Sequence, residues 1–138
     1  MKIPRLVECT DVAAVLGDAR DRSEMTLQTL RSIASEVLRG NPDLIVGVNG
    51  SVARREETAG SDVDLFFLTL NGDIAAGKTA QAEYRKRLVA QGIKMPAHGG
   101  VLEDPLPTTK LTTTIGEEND TNKNITRRML YLLEGEWV

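Results

Sequence analysis

The stretch Ser61-Asp62-Val63-Asp64-Leu65-Phe66-Phe67-Leu68-Thr69-Leu70 constrains this chain more than any other. It is an apolar run of strand-forming residues, closed by Asn71-Gly72-Asp73, and two aspartates stand at its head. Side chains at i and i+2 of a strand share a face, so Asp62 and Asp64 are expected to project together. Just upstream, Leu44-Ile45-Val46-Gly47-Val48 reads as a second, buried strand that runs into the turn Asn49-Gly50-Ser51.

Around these strands the periodicity predicts helices. One is expected from Ser23, as its cap, to about Arg39, with Leu30, Ile33, Ala34, Val37 and Leu38 on one face and Gly40-Asn41-Pro42 as its stop. A polar segment, 52–60, begins with a helical turn. A further helix covers about Ile74 to Gln91, and the last starts near Asp120 or Thr121 and carries Ile125, Met129, Leu130, Leu132 and Leu133. Residues 93–102 read as an interrupted strand, and residues 1–22 give weak signals. The order helix, strand, loop, strand, helix, strand, helix predicts an α/β (α+β) domain, a small mixed sheet flanked by helices. The 138 residues are expected to form a single domain, with the 121–138 helix leading into a further region or a partner.

Composition narrows the function classes. Aromatic residues make up 4%, so the core is mostly aliphatic and a base-stacking platform for single-stranded nucleic acid is not expected. With 17 basic and 20 acidic residues the net charge is −3, too little positive field to hold a long polyanion. Cys9 is the single cysteine and His98 the single histidine, which excludes an intrachain disulfide and a structural zinc site. No apolar run approaches the roughly 18–20 residues that span a bilayer, and the N-terminus lacks a signal-peptide h-region, so a cytoplasmic location is expected.

The candidate chemistry lies between residues 50 and 64. Two adjacent carboxylates repel, and a divalent cation between them removes the penalty; hard oxygen ligands of this kind suit Mg²⁺. Glycine in the Gly50-Ser51 turn lets backbone approach a ligand closely, and turn amides with a serine hydroxyl suit a phosphate. Either element alone is more simply a plain turn or a solvated strand start. Together they describe a metal-nucleotide site, whose expected reaction is in-line phosphoryl or nucleotidyl transfer.

The pattern Gly50-Ser51-Val52-Ala53-Arg54, six residues, Ser61-Asp62-Val63-Asp64-Leu65 resembles the signature of the DNA polymerase β-like nucleotidyltransferase superfamily, nearest to its minimal and aminoglycoside nucleotidyltransferase-like members. The signature covers residues 50–65, and the flanking order extends the likeness over about 23–102. The resemblance implies that Gly50 and Ser51, with Arg54 and Ser61 beside them, hold the phosphates of a nucleoside triphosphate, most simply ATP. It implies that Asp62 and Asp64 bind two Mg²⁺ ions. The reaction would move a nucleoside monophosphate to a hydroxyl acceptor and release pyrophosphate. A third carboxylate, general base and metal ligand, is expected from a later strand; Glu103 is the first candidate, then Asp104, with Glu117, Glu118 and Asp120 further on. Many members have glycine where this chain has Arg55.

Other readings compete. Gly72-Asp73-Ile74-Ala75-Ala76-Gly77-Lys78-Thr79 fits the P-loop pattern between a strand and a helix, which would make a kinase-like nucleotide site. Too little chain follows for the further βαβ units such a core needs, at about 30 residues each, so Lys78 is expected to be a solvated helix residue. A non-enzymatic alternative is an antitoxin-like or regulatory module that binds nucleotide and acts on a partner protein. His98 reads as a loop residue, the Gly99-Gly100 pair as a close approach or a bulge, and Arg127-Arg128 as a solvated face. Trp137, near the end of the chain, suggests a packing partner: a dimer contact or another protein.

Overall fold

The computed structural model describes residues 10–96 and 100–138. Among them are five helices and four strands: α1 (Thr10–Val37), β1 (Leu44–Asn49), α2 (Gly50–Ala53), β2 (Asp64–Thr69), α3 (Ile74–Ala90), β3 (Leu106–Pro107), α4 (Thr109–Thr112), α5 (Asn122–Glu134) and β4 (Glu136–Trp137). The strands form one mixed sheet in the order β3-β2-β1-β4. β1 lies between β2 and β4, antiparallel to both, and β3 runs parallel to β2. This is the mixed α/β architecture that the hydrophobic patterning predicts. No helix among the described residues is long and apolar enough to cross a membrane.

Alternation along β2 divides the core in two. Val63, Leu65 and Phe67 join Val46 and Val48 against Leu27, Leu30, Ile33 and Ala34 of α1 and Tyr84 and Leu88 of α3. Phe66 and Leu68 pack on the other face with Leu106, with Leu111 of α4 and with Tyr131 of α5. Both faces of β2 are therefore covered, which is why its sequence is continuously apolar rather than alternating. The Tyr84 hydroxyl is buried and donates to the Leu30 carbonyl at 2.5 Å, tying α3 to α1. Burial without a compensating cation pushes that phenol well above its ordinary pKa.

Several boundaries differ from the sequence expectation. α1 starts at Thr10, so Ser23 is no cap: its hydroxyl donates to the Ala19 carbonyl at 2.8 Å and accepts from the Glu57 amide at 3.1 Å. The first half of α1 leaves Val12, Val15 and Leu16 exposed, and the buried stripe begins only at the second half. β2 starts at Asp64 rather than Ser61, because β1 ends opposite Asp64 and the Val63 amide bonds to the Lys94 carbonyl instead. No strand forms among the described residues of 93–102. The third strand is the two-residue β3, beside Pro105 and within a proline-interrupted stretch that cannot supply a continuous row of N–H donors. The last helix, expected over 121–138, ends at Glu134, and Glu136–Trp137 return as β4 on the free edge of β1.

The second face is held by an aromatic group. The Phe66 ring stacks on Tyr131 at a centroid distance of 4.2 Å and meets the edge of Trp137 at 5.5 Å. These contacts dock α5 and β4, while Trp137 stays 57% exposed. The ring lies directly over Gly47, where a Cβ would come within 2.6 Å of Cε1. Gly47→Ala is expected to destabilise the fold by about 2 kcal/mol through overpacking, measured by urea unfolding. An unchanged midpoint would mean that Phe66 does not occupy this position.

Candidate active site

The site stands at one end of the β1–β2 ladder, where Asn49 and Asp64 form the last cross-strand pair. Val48 and Leu65 belong to the α1–α3 face, so their neighbours Asn49 and Asp64 lie on the opposite one. Asp62, two residues before Asp64, keeps to that side because Val63 between them is buried in the core. The chain then turns at Gly50, whose φ of +74° is the left-handed conformation that favours glycine. A Cβ there would stand 2.9 Å from Asp64 Oδ2. The Gly-Ser bend and the second aspartate are thus in contact.

Asp64 sits in an acidic setting. Burial raises its pKa first, and the charges of Asp62 and Glu134 raise it further, against a smaller lowering effect from Arg54. Beside it is a cavity of about 250 Å³ lined by Asn49, Asp64, Arg85, Glu103, Leu130 and Glu134 among others. Glu103 reaches this cavity from a loop rather than a strand, and its backbone carbonyl accepts from Gln81 Nε2 at 2.6 Å. Glu134, the last residue of α5, brings another carboxylate and is ion-paired with Arg54.

The other candidates are distributed differently. Arg54 also pairs with Glu56 at 2.8 Å, and these carboxylates hold its pKa above the ordinary value. Ser61 accepts from the Thr58 amide at 2.9 Å and lines a separate groove with Arg22 and Glu57. Asp104, Glu117 and Glu118 are exposed and line no part of this cavity. Asp120 is bound to Arg128 and to the Gly116 amide, and these two interactions lower its pKa. The arginine pair is not a solvated face: Arg127 is buried and donates through Nε to the Val101 carbonyl, and Arg128 pairs with Asp120. A loop carbonyl 26 residues before Arg127 and a turn carboxylate eight residues before Arg128 draw these guanidinium groups inward. His98 and Gly99 lie outside the described residues.

The P-loop geometry is absent from 72–79. α3 already begins at Ile74, so Gly77, Lys78 and Thr79 are helical. The Asp73 carboxylate accepts from the Ala76 amide at 2.9 Å, and the Gly77 amide donates to the Asp73 carbonyl. Gly77 is there for packing, since a Cβ would meet Pro105 and Thr69 at 3.0 Å, and Lys78 is exposed.

Three lining residues escaped the sequence reading: Asn49, Arg85 and Glu134. Asn49 had a signal, a polar residue ending an apolar strand directly before Gly-Ser. Arg85 and Glu134 had none, because only the docking of α3 and α5 brings them to the cavity.

Among the described residues no cluster of three or more His, Cys, Asp or Glu side chains is gathered as a metal cage. Two carboxylates suit Mg²⁺ nonetheless, since this ion is usually held by one or two carboxylates, water and substrate phosphates.

The raised pKa of Asp64 has a consequence for stability. A carboxyl with a folded-state pKa above its unfolded value stabilises below that unfolded value, about 4, and the stabilisation is lost as pH rises through the folded value. Asp64→Asn removes the buried repulsion with Asp62 and Glu134. Its Tm is expected to exceed that of the unsubstituted protein at pH 7, with the difference shrinking on acidification below pH about 4. A difference that does not vary with pH would show that Asp64 is unperturbed. Comparison with known proteins finds no matching family model, no matching curated protein and no matching solved structure.

Proposed function

We propose that this domain is a Mg²⁺-dependent nucleotidyltransferase that moves a nucleoside monophosphate from a nucleoside triphosphate, most simply ATP, to a hydroxyl acceptor. The observation that carries this reading is the contact between the Gly-Ser bend and the second aspartate, with a Gly50 Cβ position 2.9 Å from Asp64 Oδ2. A bend that admits only glycine, beside a carboxylate whose pKa is raised by burial and then by neighbouring acids, lets phosphate oxygens approach backbone and acid together.

Gly50 and Ser51 hold the triphosphate, with Arg54 at its edge. Asp62 and Asp64 would hold Mg²⁺, which would supply charge stabilisation to the attacking and leaving oxygens. The acceptor hydroxyl attacks the α-phosphorus, the bond to the β-phosphate oxygen breaks, and pyrophosphate departs. The hydroxyl proton passes to a carboxylate of the adjacent cavity, Glu103 in the first instance. Ser61 has its own local partner and acts on the loop before Asp62 rather than on phosphate.

One observation favours a second reading, a nucleotide-binding module that acts on a partner protein. The outer face of α5 carries Met129, Leu132 and Leu133, with Leu132 86% exposed. Apolar surface in a row of this kind suits a partner helix.

The two readings separate by turnover of the isolated chain. With α-labelled ATP, Mg²⁺ and a panel of small polyol and hydroxy-acid acceptors, label transfer is expected. Asp62→Ala, Asp64→Ala and Gly50→Ala are each expected to reduce it by roughly a hundredfold or more, and Lys78→Ala to leave it unchanged. Loss of transfer in Lys78→Ala with full activity in the aspartate variants would overturn the proposal. So would nucleotide binding without transfer, both by the isolated chain and in complex with a partner protein.

A further inference from the structure

The cavity beside Asp64 has polar groups that the nucleotide does not use. Asn49 is 2% exposed, and neither its Nδ2 nor its Oδ1 has a hydrogen-bond partner. Buried amides are almost always satisfied, so this one marks a missing partner. Its position opposite Asp64, on the face away from Val48, directs it to the cavity that both residues line. An amide presents a donor and an acceptor side by side, and a hydroxyl answers both.

Arg85, from α3, lines the same cavity and is the one cation to do so among the described residues. Its Nε is buried without a partner. Two residues on, Arg87 pairs with Glu83 and Glu36 on the outer surface; Arg85 has no such ion pair among the described residues. A guanidinium in this state matches the two oxygens of a carboxylate or a phosphate. The triphosphate is not the natural source of that anion, because Gly50, Ser51 and Arg54 do not line this cavity. Asp64 repels an anion on its side of the cavity, and the one cation among the described lining residues is Arg85. Leu102 and Leu130 supply apolar wall between the polar groups. At about 250 Å³ the space lies below the usual range for drug-sized ligands and fits a molecule of a few carbons.

We infer that this cavity binds a small hydroxylated anion, its carboxylate or phosphate on Arg85 and a hydroxyl on the Asn49 amide. This assignment rests on the nucleotidyl-transfer reading only where it makes that molecule the acceptor. The second hydroxyl, beside Asp64, is then the one placed to receive the nucleotide.

The test is nuclear magnetic resonance on the ¹⁵N-labelled full chain, reading the Asn49 side-chain NH₂ and the Arg85 Nε–H signals. The probes are glycerate, glycerol 3-phosphate and uncharged glycerol, titrated to tens of millimolar. Glycerate or glycerol 3-phosphate is expected to shift both signals saturably, and whichever binds tells whether the anion is a carboxylate or a phosphate. Glycerol is expected to bind at least tenfold more weakly. Arg85→Gln is expected to erase that preference and Arg85→Lys to restore part of it, in chains whose remaining spectrum is unchanged. Equal binding of glycerol, saturable shifts confined to the Gly50 and Ser51 amides, or no saturable shift with either anion would overturn the inference. A parallel titration with Mg²⁺-ATP reads Gly50 and Ser51. Anion binding at Asn49 and Arg85 without any nucleotide response upholds the cavity and removes the nucleotidyl-transfer reading; a nucleotide response without anion binding does the reverse.

Discussion

The pairing of β1 with β2 is the constraint from which the remaining arrangement follows. Its six rungs run from Leu44↔Thr69 to Asn49↔Asp64. A slip of one residue would carry every side chain to the opposite face. Asp62 and Asp64 would then enter the apolar layer of Leu27, Leu30 and Tyr84. Burial of Val63, Leu65 and Phe67 on one side and of Phe66 and Leu68 on the other therefore sets where the acids emerge. They come out at the ladder's end, where β1 has just turned through Gly50. The meeting of bend and acid is a product of register.

A second layer of interactions ties this end of the sheet to the C-terminal elements. Arg55 has φ +63°, an uncommon conformation for a residue with a side chain, costing of order 1 kcal/mol. Arg55 keeps the conformation while bonding to Glu24 on α1, to Glu136 on β4 and to the Ala53 carbonyl, and its two carboxylate partners hold its pKa above the ordinary value. Arg54 reaches Glu134 at the end of α5. Isolated surface ion pairs contribute little. Here adjacent arginines anchor α1, α5 and β4 to the four-residue α2, so the bend is braced by elements distant in the chain.

The legible parts of the sequence were those whose signals are local. β2 announced itself as an apolar run, α3 by Tyr84 and Leu88 on one face, and α5 by a start near Asp120 or Thr121; the caps themselves, Asp73 and Thr121, are seen in the structure. The relation between Gly50 and Asp64 was readable because strand alternation and a glycine turn are short-range rules. The rest depended on tertiary contact. The first half of α1 shows no buried stripe to detect. β3 and β4 are two residues each and exist only by pairing with β2 and β1. Arg127 looked solvated because its partner, the Val101 carbonyl, becomes a neighbour only after α5 docks, whereas the Arg128 partner Asp120 stands in the turn just before α5. Glu134 entered the site for the same reason: the stacking of Tyr131 on Phe66 fixes where α5 ends.

Natural sequences agree with their folds at most positions and break local rules where something other than stability is served. Buried polar atoms without a partner also occur on Arg22, Glu57, Thr69 and Asp120, but four departures of this chain meet in one place. Asn49 is buried with both amide atoms unpartnered, Gly50 and Arg55 have positive φ, and Asp64 is half-buried next to like charge. All four fall within residues 49–64 and at one end of one strand pair. A remedy for Asn49 or Asp64 is simple, since an apolar side chain at either position would pack on the face of Phe66 without unpaired polar atoms or repulsion. The same end of the sheet also carries Arg85, with a buried nitrogen unmatched. Costs scattered over a fold average out as ordinary imperfection. The unpaired amide of Asn49 and the unmatched nitrogen of Arg85 belong to residues that line one cavity, and these are the costs that a bound ligand would relieve.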